Sequence, residues 1–244
     1  MKKSEHKLPQ SWREVTLEQW TEIAKIDKEQ GSIHYNSEIL YILTDVDVDE
    51  LDIEELSEMI NQCKWATAEP SSQWRREVDG MIFKPLNKLT LYEYIDLNYF
   101  FNDNYLINLP YICAILYRQT KENEWGEVVW EPYEYDCKLR AERLMDVPIT
   151  DVYGVIREFL KFREQFLSTY TNLFEDPLPP EPAEGYDDED DDPDTEPEKD
   201  TSKWSWELLI YNLCNGDLSK SDAIGGLPLY YVFNMLGMKK ELDI

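Results

Sequence analysis

The chain has 244 residues, 42 % of them hydrophobic and 13 % aromatic, enough for one ordinary domain plus an appendage. Its 51 acids against 24 Lys and Arg leave a net charge of −27, which repels nucleic acid and anionic membranes and argues against either as a direct partner. The 4 cysteines form no C-x-x-C pair and sit in apolar helical spacing, so they read as buried free thiols of a reducing compartment rather than a disulfide framework.

The first ten residues are polar. No apolar run follows Lys2 and Lys3, and no stretch reaches membrane-spanning length, so a soluble intracellular protein is expected. Thr16 and Gln19 form a capping-box signature, in which hydroxyl and amide each satisfy an orphan backbone N–H. Val15 and Trp20 take the staple positions, and Leu17, Trp20, Ile23 and Ala24 share one helical face. A short helix is predicted over 37–43, with Ile39, Leu40 and Leu43 inward. The alternating acids from Asp45 to Asp49 have calcium-loop spacing, but Glu50 replaces the glycine and Leu56 the final glutamate, so no metal site is expected. Asp52 with Glu55 caps a further helix whose stripe is Ile53, Leu56, Met59, Ile60 and Cys63.

Residues 77–83 read as a hairpin with Asp79-Gly80 at its turn. Leu89-Thr90-Leu91, with Glu93 and Tyr94, then repeats the device of Val15-Thr16-Leu17; capping boxes are common, and convergent capping is the preferred explanation. The run 106–117 is apolar on most sides, with Pro110 in a first turn, and is the predicted core helix. Residues 124–133 suggest a second hairpin or an edge strand. Helical spacing returns over 134–145, with Leu139 and Leu144 inward, until Val147-Pro148 breaks it. The longest helix is predicted over 150–174, with a stripe that includes Val152, Val155, Ile156, Phe159, Leu160, Phe166 and Tyr170.

Residues 175–200 carry 14 acids and one lysine among repeated prolines and cannot bury enough apolar surface to offset their ordering entropy. The expected architecture is therefore mainly α: a helical body over 1–174 with one or two small β-hairpins, a disordered acidic linker over 175–203, and a C-terminal two-helix docking module over 204–244. The module's first helix offers Trp204, Trp206, Leu209, Ile210 and Leu213, with Gly216 as its terminator. Its second, over 228–238, offers Leu229, Val232, Phe233 and Leu236. These nine residues are the candidate partner-binding set. Two such helices make a poor core alone, so they fold back on the body or insert into a partner; Trp204 and Trp206 read equally as core aromatics or binding anchors.

No catalytic constellation appears. His6 and His34 lack a metal or nucleophile spacing, and there is no G-x-S-x-G, Walker or G-x-G-x-x-G motif. No enzyme activity, metal or other cofactor is expected.

Three stretches carry a resemblance: S-W-R-E-V-T-L-E-Q-W near the start, K-L-T-L-Y-E-Y-I-D-L with L-P-Y-I-C-A-I-L-Y-R in the middle, and W-S-W-E-L-L-I-Y-N-L-C-N-G-D-L-S-K with L-P-L-Y-Y-V-F-N-M-L at the end. The first two resemble proteins from structural gene clusters of tailed bacteriophages, including crAss-like phages of gut Bacteroidales. The last is similar to the terminal segment of phage tail-assembly chaperone-like proteins. The resemblance implies a soluble acidic assembly factor in the host cytoplasm, or in the virion, that binds other phage structural or tail proteins, with self-association left open. A stoichiometric virion component anchored through 204–244 is the alternative, and an acidic DNA mimic that blocks a DNA-binding protein is the third reading.

Overall fold

The computed structural model describes residues 8–27, 29, 31–48, 51–133, 137–174 and 205–242. Residues 175–204, where the acidic linker and Trp204 fall, lie outside the described residues, as do Asp49 and Glu50. The described chain is mainly α-helical, with a three-stranded and a two-stranded antiparallel sheet. It divides into two units: unit 1 comprises Met1–Leu89 and Asp96–Phe162, unit 2 Thr90–Ile95 and Arg163–Ile244.

Unit 1 opens with α1 (Leu17–Lys25), and the capping box forms as the sequence dictates. Thr16 Oγ1 accepts from Gln19 N–H at 3.2 Å, and Gln19 Oε1 accepts from Thr16 N–H at 3.1 Å. Val15 and Trp20 are both buried, as a staple requires. The next helix, α2 (Ser32–Thr44), starts a turn earlier than predicted, after Gly31 at φ 96°, and stops at Asp45 in a left-handed conformation. In α3 (Ile53–Gln62) Asp52 Oδ1 accepts from Glu55 N–H at 2.8 Å. Its stripe is narrower than expected: Met59 and Cys63 are buried, while Ile53, at the first helical position, is exposed.

Strands β1 (Glu77–Val78) and β2 (Met81–Phe83) make the predicted hairpin. Asp79 at φ 48° and Gly80 at φ 69° give the two consecutive left-handed residues that a two-residue hairpin turn of matching twist needs. Helix α4 (Leu91–Asn104) contributes residues to both units. The core helix α5 (Leu109–Leu116) carries Pro110 in its first turn and buries every side chain except Tyr111. It ends sooner than its apolar run, because Tyr117 and Arg118 form β3 (Tyr117–Arg118) on the open edge of β2. Strands β4 (Thr120–Glu122) and β5 (Val128–Trp130) form a second hairpin, whose first strand lies ahead of the stretch 124–133 where a hairpin or edge strand was expected.

In α6 (Lys138–Leu144) Leu144 is buried but Leu139 is exposed. Five residues apart, the two cannot share a helical face. The inner face holds Ala141, Leu144 and the Arg140 stem, whose Nε–H donates to Ala114 O at 2.9 Å. The predicted long helix begins late: a 3₁₀ turn, Ile149–Asp151, precedes α7 (Val155–Thr169). Between them Gly154 donates its N–H to Gln73 O at 2.8 Å, and a Cβ there would meet that oxygen at 2.5 Å. Leu160, placed in the stripe, is exposed.

Unit 2 takes the last residues of α7, then α8 (Thr171–Phe174), α9 (Ser205–Leu213), α10 (Ser221–Gly225) and α11 (Leu229–Leu242). After α9 a 3₁₀ turn, Leu218–Lys220, leads into α10.

The echo between Val15-Thr16-Leu17 and Leu89-Thr90-Leu91 goes beyond capping. In unit 1 Thr16 makes an isolated antiparallel bridge with Pro148, and Leu17 N–H donates to Val147 O at 2.8 Å. In unit 2 Thr90 bridges Pro228, and Leu91 N–H donates to Leu227 O at 3.0 Å. A residue before proline is held extended, so Val147 and Leu227 each present a carbonyl to an N-terminal helix amide. Ile149, Val152 and Tyr153 then match Leu229, Val232 and Phe233 in spacing, and all six are buried. Shared capping alone does not produce a shared X-Pro partner with the same buried spacing after it; the clasp occurs once in each unit.

Candidate functional site

Unit 2 is built on Phe166. Its ring, almost completely buried, lies 5.1 Å from Tyr94, 5.0 Å from Tyr170, 5.4 Å from Tyr230 and 4.8 Å from Phe233, centroid to centroid. Tyr170 adds a hydrogen bond, its hydroxyl donating to Asn234 Oδ1 at 2.7 Å, and burial pushes that phenol upward from its ordinary pKa. Lys240 Nζ–H donates to Asn172 O. The first clasp residues enter the same cluster: Thr90 N–H donates to Glu93 Oε2 at 2.7 Å, capping the turn that carries Tyr94.

Helix α9 ends in a Schellman motif. Asn215, at φ 50°, donates its N–H to Asn212 O, and Gly216 donates to Tyr211 O at 3.0 Å. The left-handed C′ position is therefore Asn215, one residue before the glycine expected there. Gly225 closes α10 directly under Tyr92, where a Cβ would sit 2.1 Å from the ring.

This arrangement sorts the nine candidate residues. Leu229, Val232 and Phe233 are buried within unit 2. Trp206, half-buried, meets the Tyr94 ring edge-on at 5.7 Å. Leu209, Ile210, Leu213 and Leu236 are half-buried, and Trp204 lies outside the described residues. The residues chosen by the first apolar period of α11 thus line its inner side.

A second apolar period on α11 points outward, and the sequence reading missed it. Tyr231 is 54 % exposed, Met235 39 %, Met238 41 % and Leu242 60 %. On α9, Leu208 and Tyr211 are also exposed. The signal was present in the sequence: residues 229–242 are apolar on nearly all sides, which no single period describes.

Unit 1 holds a concavity of about 660 Å³ along α3, between Ile53 and Gln62, and two smaller ones. One, of about 300 Å³, is lined by Arg13, Gln73, Trp74, Arg75, Thr150 and Asp151, with Arg75 Nε 3.0 Å from Asp151. The other, of about 360 Å³, lies beside α2 among Ile26, Tyr41, Ile42 and Val48, with His34 Nε2 3.3 Å from Glu38 on its rim. Asp96 accepts from the Tyr133 hydroxyl; burial raises its carboxyl above the ordinary range while that hydrogen bond pulls the other way. The four cysteines are free and buried, and burial drives the Cys113 and Cys63 thiols upward, away from the reactive thiolate. Among the described residues no group of three or more His, Cys, Asp and Glu is placed to hold a metal ion, and no helix is long and apolar enough to cross a membrane.

The architecture defines a mainly helical chain of two units, each closed by its own Thr–Pro clasp. No family model, curated protein or solved structure matches it.

Proposed function

We propose that this chain is a non-catalytic assembly protein of a tailed bacteriophage, a chaperone-like factor that binds other structural or tail proteins and keeps them soluble. The observation that carries the binding reading is α11, a helix with one apolar side buried in its own unit and a second left at the surface. A soluble protein that keeps a row of large apolar side chains exposed favours contact with a partner. The net charge of −27 supports the solubilising half of the role, since strong like charge keeps complexes apart. The phage context rests on the resemblance of S-W-R-E-V-T-L-E-Q-W, K-L-T-L-Y-E-Y-I-D-L and the C-terminal helices to phage structural-cluster and tail-assembly proteins.

Quantitative mass spectrometry of purified particles beside the infected-cell lysate tests this. Abundance in the lysate with absence from particles is the expected result. A fixed, appreciable copy number in particles would replace the chaperone by a virion component, and absence from any phage infection would overturn the assignment.

A further inference from the structure

The concavity of about 300 Å³ in unit 1 is built on that unit's clasp. Pro148 forms part of its wall, and Thr150 and Asp151 follow in the 3₁₀ turn Ile149–Asp151. Arg13 lies in a second 3₁₀ turn, Trp12–Glu14, just before Thr16. Ile149 N–H donates to Val15 O at 2.9 Å and ties the two turns together. The rest of the wall, Gln73-Trp74-Arg75, is pinned along its length. Gln73 O accepts from Gly154 N–H at 2.8 Å, Arg75 N–H donates to Asp151 O at 2.8 Å, and Arg75 O accepts from the Tyr117 hydroxyl at 2.6 Å. The Trp74 ring rests on Phe83, 4.4 Å between centroids. A pocket held in this way keeps its shape without a ligand, which lowers the ordering cost of binding.

Its chemistry is one-sided. Among the described residues the side chains of Arg13, Gln73, Trp74 and Thr150 make no hydrogen bond or ion pair, and together they offer a guanidinium, an amide, an indole N–H and a hydroxyl. The one carboxylate, Asp151, is already engaged by Arg75 Nε at 3.0 Å. Two guanidiniums against one carboxylate leave a single positive charge, and Trp74 with Pro148 supplies an apolar wall. The clasp itself does not demand this set. Counted from the clasp threonines, Arg13 corresponds to Asn87; counted from the clasp prolines, Thr150 and Asp151 correspond to Tyr230 and Tyr231.

We propose that this pocket binds one carboxylate carried beside an apolar or aromatic group. Surplus donors select an acceptor-rich anion, and a guanidinium fork matches the two oxygens of a carboxylate. The single surplus charge selects a monoanion. A phosphate monoester carries about −1.5 to −2 at neutral pH and would leave negative charge uncompensated next to Asp151. The C-terminal residue of a peptide and a free aromatic acid both present the chemistry required. The site goes beyond the assembly role proposed above and does not depend on the phage assignment.

The test titrates the isotope-labelled full-length protein with N-acetylphenylalanine, its carboxamide, hydrocinnamate and phenyl phosphate in about 0.15 M salt, where distant surface charges are screened. The Trp74 indole N–H and the Gln73 side-chain amide are followed by NMR. Saturable shifts of both reporters are expected with the carboxylates, and at least tenfold weaker binding of the carboxamide and of phenyl phosphate. R13Q removes an exposed guanidinium that holds nothing in the fold and should weaken the carboxylates at least tenfold. D151N removes the like charge from the wall and should tighten them severalfold, a sign that damage to the fold does not produce. Tighter binding of N-acetylphenylalanine than of hydrocinnamate, which lacks the peptide amide, would support the site with a chain end as the source. Equal or tighter binding of hydrocinnamate would support it with a free acid as the source. Equal binding of the carboxamide or of phenyl phosphate, unchanged binding to R13Q, weaker binding to D151N, or no saturable shift of either reporter would each overturn the proposal.

Discussion

Replacing Phe166 by alanine tests what holds the C-terminal helices in place. The ring is about 1 % exposed and sits within 5.4 Å of four other aromatic rings, two of them, Tyr230 and Phe233, on α11. Truncating a buried Phe to Ala costs about 3–5 kcal/mol, because the lost transfer energy is compounded by the cavity left behind. The surrounding rings are anchored on other elements and cannot all collapse inward, which favours the upper part of that range. Whole domains are stable by only about 5–15 kcal/mol, so the loss is a large fraction of what unit 2 has. Native-state hydrogen exchange of the α11 amides reads it directly: the F166A protein should lose about three orders of magnitude of protection or more there. Y170F, which removes only the hydrogen bond to Asn234, should cost about 0.5–1.5 kcal/mol, roughly two- to twelvefold in protection. A change of less than tenfold in α11 for F166A would refute the view that this aromatic cluster anchors the helix.

T16A and T90A each remove a capping hydroxyl and should cost about 1 kcal/mol in urea unfolding. G154A drives a Cβ into the backbone oxygens of Ser72 and Gln73, at 2.6 and 2.5 Å, which no rotamer change relieves; a loss of about 3 kcal/mol or more is expected, and a neutral result would show that the 72–73 segment moves freely. For Asp96 the folded pKa lies above the unfolded one because burial outweighs the Tyr133 hydrogen bond, so ionisation works against folding. Its contribution is complete below about pH 4 and is lost as pH rises through the folded value. D96N, which keeps an acceptor for Tyr133, should therefore be more stable than the parent at neutral pH and lose that advantage below about pH 4, compared by urea unfolding at both pH values.

The helix starts were legible because capping is written within four residues: Thr16 with Gln19, Asp52 with Glu55 and Thr90 with Glu93 all form the predicted bonds. The Asp79-Gly80 turn was legible for the same reason. Features set by distant chain were not. Tyr117-Arg118 looks like the end of a helix and becomes a strand only because β2 offers an open edge. Gly154 interrupts a long apolar stripe because a loop some eighty residues earlier presses on it. Ile53 and Leu139 are apolar side chains left exposed because, among the described residues, no element packs on that side of their helices. In α11 the difficulty was different: two apolar periods overlap in one stretch, and choosing the stronger one selected the inner face. Val147-Pro148 was read as a helix breaker and Pro228 as the start of a helix, since nothing local shows that the carbonyls of Val147 and Leu227 each serve a helix that begins more than a hundred residues before.

The clasps also set the order in which the protein can be made. Thr16 and Thr90 leave the ribosome early, but Pro148 and Pro228 follow only after roughly 130 further residues, so each closure waits for a long loop and the slow pairing that comes with it. Unit 2 waits longest. Until Leu227-Pro228 and α11 emerge, Phe166 and Tyr170 lack the Tyr230 and Phe233 rings that pack on them, and the nascent chain carries that incomplete aromatic cluster. A chain cut before α11 would stay in that condition permanently. Truncation would therefore report on the maturation of this protein before it reported on any partner.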